Sequence, residues 1–398
     1  MNKTLTVNNH FSGSICIPCI QSKQEQINRW LENYEKGFNI PIYSSVDIRD
    51  GGFKIAVIDT NLFPAGFNNL CEHGLADAVG FIKTAILRRL PEAKNILIAT
   101  EAHTRNAGYL ENVRILQDII SKAGFNVAIA TLEEINQKQP NADLIIMNND
   151  LTGGIPESLR QANIPVFPSM QAGWHARHKS EHFHFTQTLI KEFSDIVGLD
   201  PWQFSCLYKF EENLDINQEA DRQRLYEAAV KLFDEIEGKY KEHGIDSKPF
   251  IFLKSDSGTY GLGATPIEDP KQILALNSRK RHDLERSKGG LIVHRFLLQE
   301  GVPTIHRIEE SPCEVCMYQI DNHLVGGFYR YHSNKGSRDN LNSPGGMGFQ
   351  KICPHLDKYG KNCEIPHNLN IFDIYRILAR IAGIAARWET KELERRSS

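Results

Sequence analysis

Phe252-Leu-Lys254-Ser-Asp-Ser-Gly258-Thr-Tyr-Gly261-Leu-Gly263 is the stretch on which the fold turns. An apolar run from Pro249 to Leu253 reads as a strand that delivers one lysine, Lys254, into a loop carrying Gly258, Gly261 and Gly263. Glycine adopts positive φ without strain and lets backbone N–H groups come close to a ligand. Such N–H groups cradle phosphate oxygens, and a lysine beside them adds a compact positive charge. The spacing is not the P-loop, since no Gly-Lys-Ser/Thr follows, nor a dinucleotide fingerprint, whose glycines open a helix at other intervals. Taken alone, the loop reads equally well as a glycine-rich hairpin turn.

The chain around it has 398 residues, enough for two or three domains with their own cores. Apolar residues make up 41% and charged residues 24%, the ordinary balance of a globular protein. A net charge of −3 gives no reason to expect nucleic acid, and no apolar run approaches a membrane span. The polar N-terminus lacks the apolar region of a signal peptide, so a cytoplasmic location is expected. Two Cys-x-x-Cys pairs, Cys16/Cys19 and Cys313/Cys316, lie almost the whole chain apart. Free thiols are the expectation for both, with a zinc site or a redox pair at Cys16/Cys19 as the alternatives.

Upstream of the loop, strand and helix signals alternate. Apolar runs at 53–58, 96–99, 127–130, 144–147 and 166–167 read as buried strands, with helical spacing over 75–90 and 110–123. That alternation predicts a Rossmann-like parallel sheet covered on both faces. Polar clusters follow the strand ends: Asp59-Thr-Asn61, 101–106 and Asn148-Asn-Asp150. Ligands of open α/β sheets bind beyond the carboxyl ends of the strands, although short polar residues also simply turn a chain. From residue 171 helices dominate (180–197 and 218–243). Strands at 290–298, 314–320 and 324–331 follow, the last two joined by Asp321-Asn322, and a long helix over 371–393 closes the chain.

The second half holds an ordered set: Lys179, Lys254 with its glycines, Gln299-Glu300-Gly-Val302, Glu314, Arg330, and Asn340-Leu-Asn342. That order resembles the ATP-grasp superfamily. Longer strings carry a more specific resemblance, to the proteobacterial, ATP-grasp-type glutamate–cysteine ligase family. They run from Phe53 through Asp59-Thr-Asn61 to Asn68-Asn69-Leu70, from Gly173 to Phe183, from Lys254 to Gly263, from Met317 to His332, and from Asn340 to Gly345. The late Glu-x-Asn pair common in ATP-grasp enzymes has no counterpart after Gly348.

The resemblance implies an α/β protein in which a Rossmann-like parallel-sheet domain (1–170) precedes an ATP-grasp fold. That fold would comprise two α+β subdomains, a lid (171–298) and a C-terminal part (299–398). It implies an enzyme that joins L-glutamate to L-cysteine with ATP and Mg²⁺ or Mn²⁺, the first step of glutathione biosynthesis. The alternatives are an ATP-grasp ligase with another substrate pair and a catalytically silent nucleotide-binding protein. Lys179, Lys254, Gly258, Gly261 and Gly263 are expected at the phosphates, and Gln299, Glu300 and Val302 at the nucleotide hinge. Arg330 and Lys254 are the expected catalytic residues, and Glu314, Asn340 and Asn342 the metal ligands. Asn61, Asn68, Asn69, Arg105 and Arg177 are candidates for the amino-acid substrates, since guanidinium pairs bidentately with carboxylate. The expected partners are these small molecules, with a homo-oligomer left open and neither nucleic acid nor membrane expected.

Overall fold

A computed structural model describes residues 5–7, 15–36, 40–102, 106–138, 140–258, 264–285, 292–355 and 369–397. The chain begins β1 (Leu5–Val7), α1 (Ile17–Gln21), α2 (Gln24–Glu35), β2 (Tyr43–Asp50), β3 (Ile55–Asn61), α3 (Glu72–Arg89), β4 (Asn95–Thr100) and α4 (Ala107–Lys122). It continues β5 (Asn126–Thr131), α5 (Leu132–Gln137), β6 (Leu144–Asn148), α6 (Glu157–Gln161), β7 (Val166–Phe167), α7 (Lys179–Val197), β8 (Tyr208–Glu212) and α8 (Glu219–Glu242). Then come β9 (Ile251–Ser255), β10 (Thr265–Ile267), α9 (Lys271–Leu274), α10 (Ser278–Glu285), β11 (Arg295–Glu300) and β12 (His306–Ile308). The last elements are β13 (Ser311–Ile320), β14 (His323–His332), β15 (Met347–Ile352) and α11 (Leu369–Ser397).

The described residues form three sheets. The parallel one has the order β5-β4-β6-β7. A four-stranded antiparallel sheet, β10-β9-β11-β8, packs against α8 through Leu225, Leu232 and Ile236. The largest is a seven-stranded antiparallel sheet in which β13 pairs with β14, β12 and β2, and β2 pairs with β3. The expectation of a parallel-sheet strand at 53–58 is therefore corrected. That segment forms β3, which pairs antiparallel with β2 just upstream and so enters a sheet built largely from the last third of the chain. Its apolar run fitted a buried parallel strand, but the helix that covers it, α11, lies more than 250 residues downstream, where local pattern cannot reach.

The large sheet has two unlike faces. Val46, Ile48, Ile55, Val57, Val315, Met317 and Tyr329 pack on one side against α11, where Ile374, Ile377, Leu378, Ile381 and Ala385 recur at helical spacing. Each such aliphatic side chain contributes about 1.5–3 kcal/mol on burial. Ser45, Asp47, Cys316, Tyr318, Phe328 and Arg330 face the other way. A bulge lets β3 serve both faces. Asp47 lies opposite Asp59 but Ile48 lies opposite Val57, so Ile58 is the extra residue. The inserted residue flips the alternation, keeping Ile55 and Val57 in the core while Asp59 and Asn61 point to the polar side.

Cys16 and Cys19, expected as free thiols, are joined by a disulfide across the first turn of α1. Cys313 and Cys316 are free and buried in β13. Among the described residues no helix is long and apolar enough to cross a membrane.

Candidate active site

The polar face of the large sheet and the loops after β3 enclose a cavity of about 250 Å³. Asp47, Asp59, Asn61, Asn68, Asn69, Arg330 and Asn342 line it, with Tyr318, Phe328 and Phe349 as apolar walls. Arg49, Glu314 and Arg330 form a row of charges across β2, β13 and β14, as the register dictates. Arg330 donates from both terminal nitrogens to Asp47 (2.9 and 3.0 Å) and from Nη1 to Glu314 (2.8 Å). Arg49 Nε donates to the second Glu314 oxygen at 2.7 Å. Burial raises the Asp47 carboxyl above its ordinary value; Arg330 opposes that shift, and Glu314 adds to it. Burial disfavours the Arg330 charge, yet Asp47 and Glu314 hold the guanidinium firmly protonated.

A second cluster sits where β3, α7 and β9 meet. Lys179 Nζ donates to Asp59 at 2.6 Å, and Lys254 Nζ reaches the bulged Ile58 carbonyl at 3.5 Å. Gln299 Nε2 reaches the same carbonyl at 3.4 Å, and its buried Oε1 has no hydrogen-bond partner. Burial and the neighbouring Lys179 charge lower Lys254 to about 8. Burial would raise Asp59, but Lys179 and Lys254 outweigh it and lower the carboxyl to about 2. Two lysines thus share one carboxylate, leaving a net positive patch at the cavity edge.

The root of the glycine loop is fastened to α7. Ser180 donates to the Asp256 carboxylate from N (2.8 Å) and Oγ (2.6 Å), and Arg295 Nε donates to it at 2.5 Å. A carboxylate at a helix N-terminus satisfies free N–H groups and complements the helix dipole. Gly258 takes φ +104°, a backbone that favours glycine. Gly261, Gly263 and Arg105 lie outside the described residues.

The remaining predicted residues fall into two groups. Asn61, Asn68 and Asn69 line the cavity, and the buried Asn68 Oδ1 has no hydrogen-bond partner. Asn342 also lines it, and its backbone N–H donates to Asn340 Oδ1 at 3.0 Å. Three others are held in closed contacts. Arg177, 1% exposed, is bidentate to Glu389 of α11 (2.7 and 3.0 Å) and donates to the Thr60 carbonyl. His182 completes that cluster, facing Glu389 at 3.0 Å and Thr60 Oγ1 at 2.9 Å. Glu300 accepts from Lys54 (2.6 Å), Trp202 Nε1 (3.0 Å) and Leu207 N (2.8 Å). The Val302 carbonyl accepts from Arg49 at 3.3 Å.

Sequence reasoning missed Asp47, Arg49, His182 and Glu389, and placed Asp59 in a ligand-facing cluster without a role of its own. Asp47 and Arg49 sit in β2, and the strands that supply their charged partners, β13 and β14, are distant in sequence, while Glu389 lies in a helix that reads as an amphipathic packing element. Asp59, at the polar end of an apolar strand, carried the one available signal.

The glutamate–cysteine ligase family profile (GshA: Glutamate-cysteine ligase) matches residues 18–142 and 133–390. A protein from Methylobacillus flagellatus KT, described as a candidate gamma-glutamylcysteine synthetase, has a similar structure with a TM-score of 0.83 at 30% identity. The match covers 97% of this chain and 99% of that one. D-alanyl-alanine synthetase A from Vibrio cholerae scores 0.35 at 14% identity over 73% of this chain and 81% of that one, too weak a likeness to bear on the argument. No curated protein matches the chain significantly. The near-complete coverage by the profile and by the Methylobacillus structure places the chain in one group: it belongs to the glutamate–cysteine ligase family and is a ligase.

Proposed function

We propose that the protein joins the γ-carboxylate of L-glutamate to the amine of L-cysteine at the expense of ATP, releasing γ-glutamylcysteine, ADP and phosphate. Family membership supports the ligation. The observation that carries the ATP-dependent mechanism is the open cluster of Lys179, Lys254 and Asp59 beside the Asp47–Arg330–Glu314 row. An ATP-grasp arrangement remains the architecture we infer for the nucleotide site.

A carboxylate does not react with an amine at a useful rate, so it must first be activated. Attack of a γ-carboxylate oxygen on the γ-phosphorus of ATP would form an acyl phosphate and release ADP. The cysteine amine would then add to the carbonyl and expel phosphate. Charge shifts onto phosphoryl and carbonyl oxygens in both steps, so positioning and fixed positive charge do the work.

In this reading Lys179 and Lys254 bind the ATP phosphates, with Gly258, Gly261 and Gly263 as further phosphate-binding candidates. The unpartnered Gln299 Oε1 would accept from the amino group of adenine. Glu300 acts through the Lys54 and Trp202 contacts that shape the hinge, and Val302 through its backbone. Arg330 stabilises the phosphoryl group in transit. Asn61, Asn68 and Asn69 hold the amino-acid substrate, with Asn68 Oδ1 accepting from its ammonium group. Arg105 stays a candidate for a substrate carboxylate, whereas Arg177 serves by orienting the Thr60 backbone beside Asp59.

The hard oxygens of Asp47, Asp59 and Asn342 in one cavity suit Mg²⁺ or Mn²⁺. When bound, such an ion would neutralise phosphate charge. Asp47 and Asn342 would hold it, with Asn340 orienting Asn342. Glu314, its oxygens engaged by Arg49 and Arg330, would set the guanidinium or release one oxygen to the ion.

The test is ADP release by purified protein with Mg-ATP, supplying glutamate and cysteine singly and together, with product mass read in parallel. ADP rising only with both amino acids, together with the γ-glutamylcysteine mass, is the expected result. ADP without that product would transfer the reading to another substrate pair, and no ADP under any condition would refute it.

A further inference from the structure

Two short Cys-x-His steps, Cys71-Glu-His73 and Cys353-Pro-His355, lie far apart in the chain and meet in space. The first opens α3 and the second follows β15. A ligand atom from each of Cys71, His73 and Cys353 lies within 4.8 Å of the other two. Cys353 Sγ is 3.8 Å from His73 Nδ1. Ligand atoms sharing a tetrahedral Zn²⁺, with Zn–S about 2.3 Å and Zn–N about 2.0–2.1 Å, stand roughly 3.5–3.8 Å apart. One pair is already at that spacing, and the others close to it with side-chain rotation. We propose that Cys71, His73 and Cys353 form a structural site for a soft divalent cation of the Zn²⁺ class.

The chemistry around the cluster fits that ion. Two thiols and an imidazole favour Zn²⁺ over Mg²⁺ or Ca²⁺, so the site would not compete for the metal of the phosphoryl-transfer cleft. Cys71 caps α3, its Sγ accepting from Gly74 N at 3.4 Å, and a helix N-terminus stabilises a thiolate. Burial nevertheless pushes the metal-free Cys71 thiol up to about 11, so it stays protonated near neutral pH. Loading the ion therefore forms two metal–sulfur bonds, to Cys71 and Cys353, and releases one thiol proton from each to solvent. Asp77, one turn along α3 from His73, accepts from His355 Nε2 at 2.5 Å. That carboxylate-held histidine lies two residues beyond Cys353.

The site also has a place in the enzyme. Cys71 follows the turn carrying the cavity residues Asn68 and Asn69, and Cys353 follows β15, which contributes Met347 and Phe349 to the same cavity. One ion would tie two walls of the cleft together.

The experiment uses the full chain, reduced, stripped with a chelator and given ZnCl₂ or CoCl₂ alone, without nucleotide or amino acids. The expected result is one retained equivalent of Zn²⁺, a raised Tm, and a Co²⁺ adduct showing the thiolate-to-metal charge-transfer band. Cys71→Ser and Cys353→Ser should each weaken that band markedly and lower Zn²⁺ affinity about a hundredfold, and the double variant should abolish the band. Asp200→Asn, in the other carboxylate–histidine cluster (Asp200, Glu242 and His243), should keep it. Absence of the band in the wild-type protein, or wild-type Zn²⁺ binding by both serine variants, overturns the proposal. The readout is independent of the ligation reaction, so its failure would leave the proposed function untouched.

Discussion

Two lysine–carboxylate pairs flank β3, each with a nitrogen–oxygen distance of 2.6 Å, and they do different work. Lys54 and Glu300 are both 0% exposed at the side chain, and the Glu300 oxygens are also occupied by Trp202 and Leu207. Lys54 lies 4.0 Å from the Trp202 ring centroid, so its charge is enclosed by aromatic surface as well. Lys179 and Asp59 are 9% and 33% exposed, Asp59 lines the cavity, and Lys254 adds a second cation to the same carboxylate. The first pair is complete; the second carries surplus positive charge toward open space. Distance alone therefore says little about function. What distinguishes a site from a scaffold is whether the partners exhaust each other. Arg177 and Arg330 are both fully paired, on Glu389 and Thr60 and on Asp47 and Glu314, and differ in that Arg330 lines the cavity.

The comparison breaks first at the closed pair. Lys54→Met leaves the buried Glu300 carboxylate uncompensated and should cost about 3–5 kcal/mol in denaturant unfolding. Lys54→Met/Glu300→Leu should recover most of that loss. Lys179→Met should cost clearly less, because Asp59 is 33% exposed and keeps Lys254 beside it. Equal losses at Lys54 and Lys179 would contradict the distinction.

The open cluster should respond in turnover instead. Lys254→Ala and Arg330→Lys should fold and lose at least about a hundredfold in kcat, roughly 2.7 kcal/mol of transition-state stabilisation. A residual rate above about a tenth of wild type in either would remove that residue from the mechanism.

Smaller still is a pH effect. Lys254 is held near 8 by burial and by Lys179. Phosphate binding favours its protonated form, so affinity is full below that value and falls as pH rises through it. Binding of a non-hydrolysable ATP analogue should weaken about tenfold between pH 7 and 9, and Lys254→Arg should flatten the profile. An unchanged wild-type profile would detach Lys254 from the phosphates. Last, Gln299→Ala should raise the nucleotide KM a few-fold with kcat little changed, since it removes one ground-state hydrogen bond.

Local pattern made much of this molecule legible. Helices α3, α4, α7, α8 and the final helix follow apolar spacing to within a few residues, and the β13–β14 hairpin follows Asp321-Asn322. Lys179, Lys254 and Arg330 stood out as candidates because each sits in a distinctive string. Pairing across the chain was not readable. β3 looked like a parallel strand because both kinds of strand present an apolar run, and only the Ile58 bulge reveals that Asp59 turns to the cleft. Glu389 closes on Arg177 from a helix 212 positions away, a contact that no periodicity announces.

The most direct test of the central claim follows oxygen. Glutamate labelled with ¹⁸O in its γ-carboxylate would be turned over with ATP and cysteine, and the released phosphate examined by mass. Attack on the γ-phosphorus in this cleft predicts one ¹⁸O per phosphate. Unlabelled phosphate alongside γ-glutamylcysteine would contradict activation through an acyl phosphate.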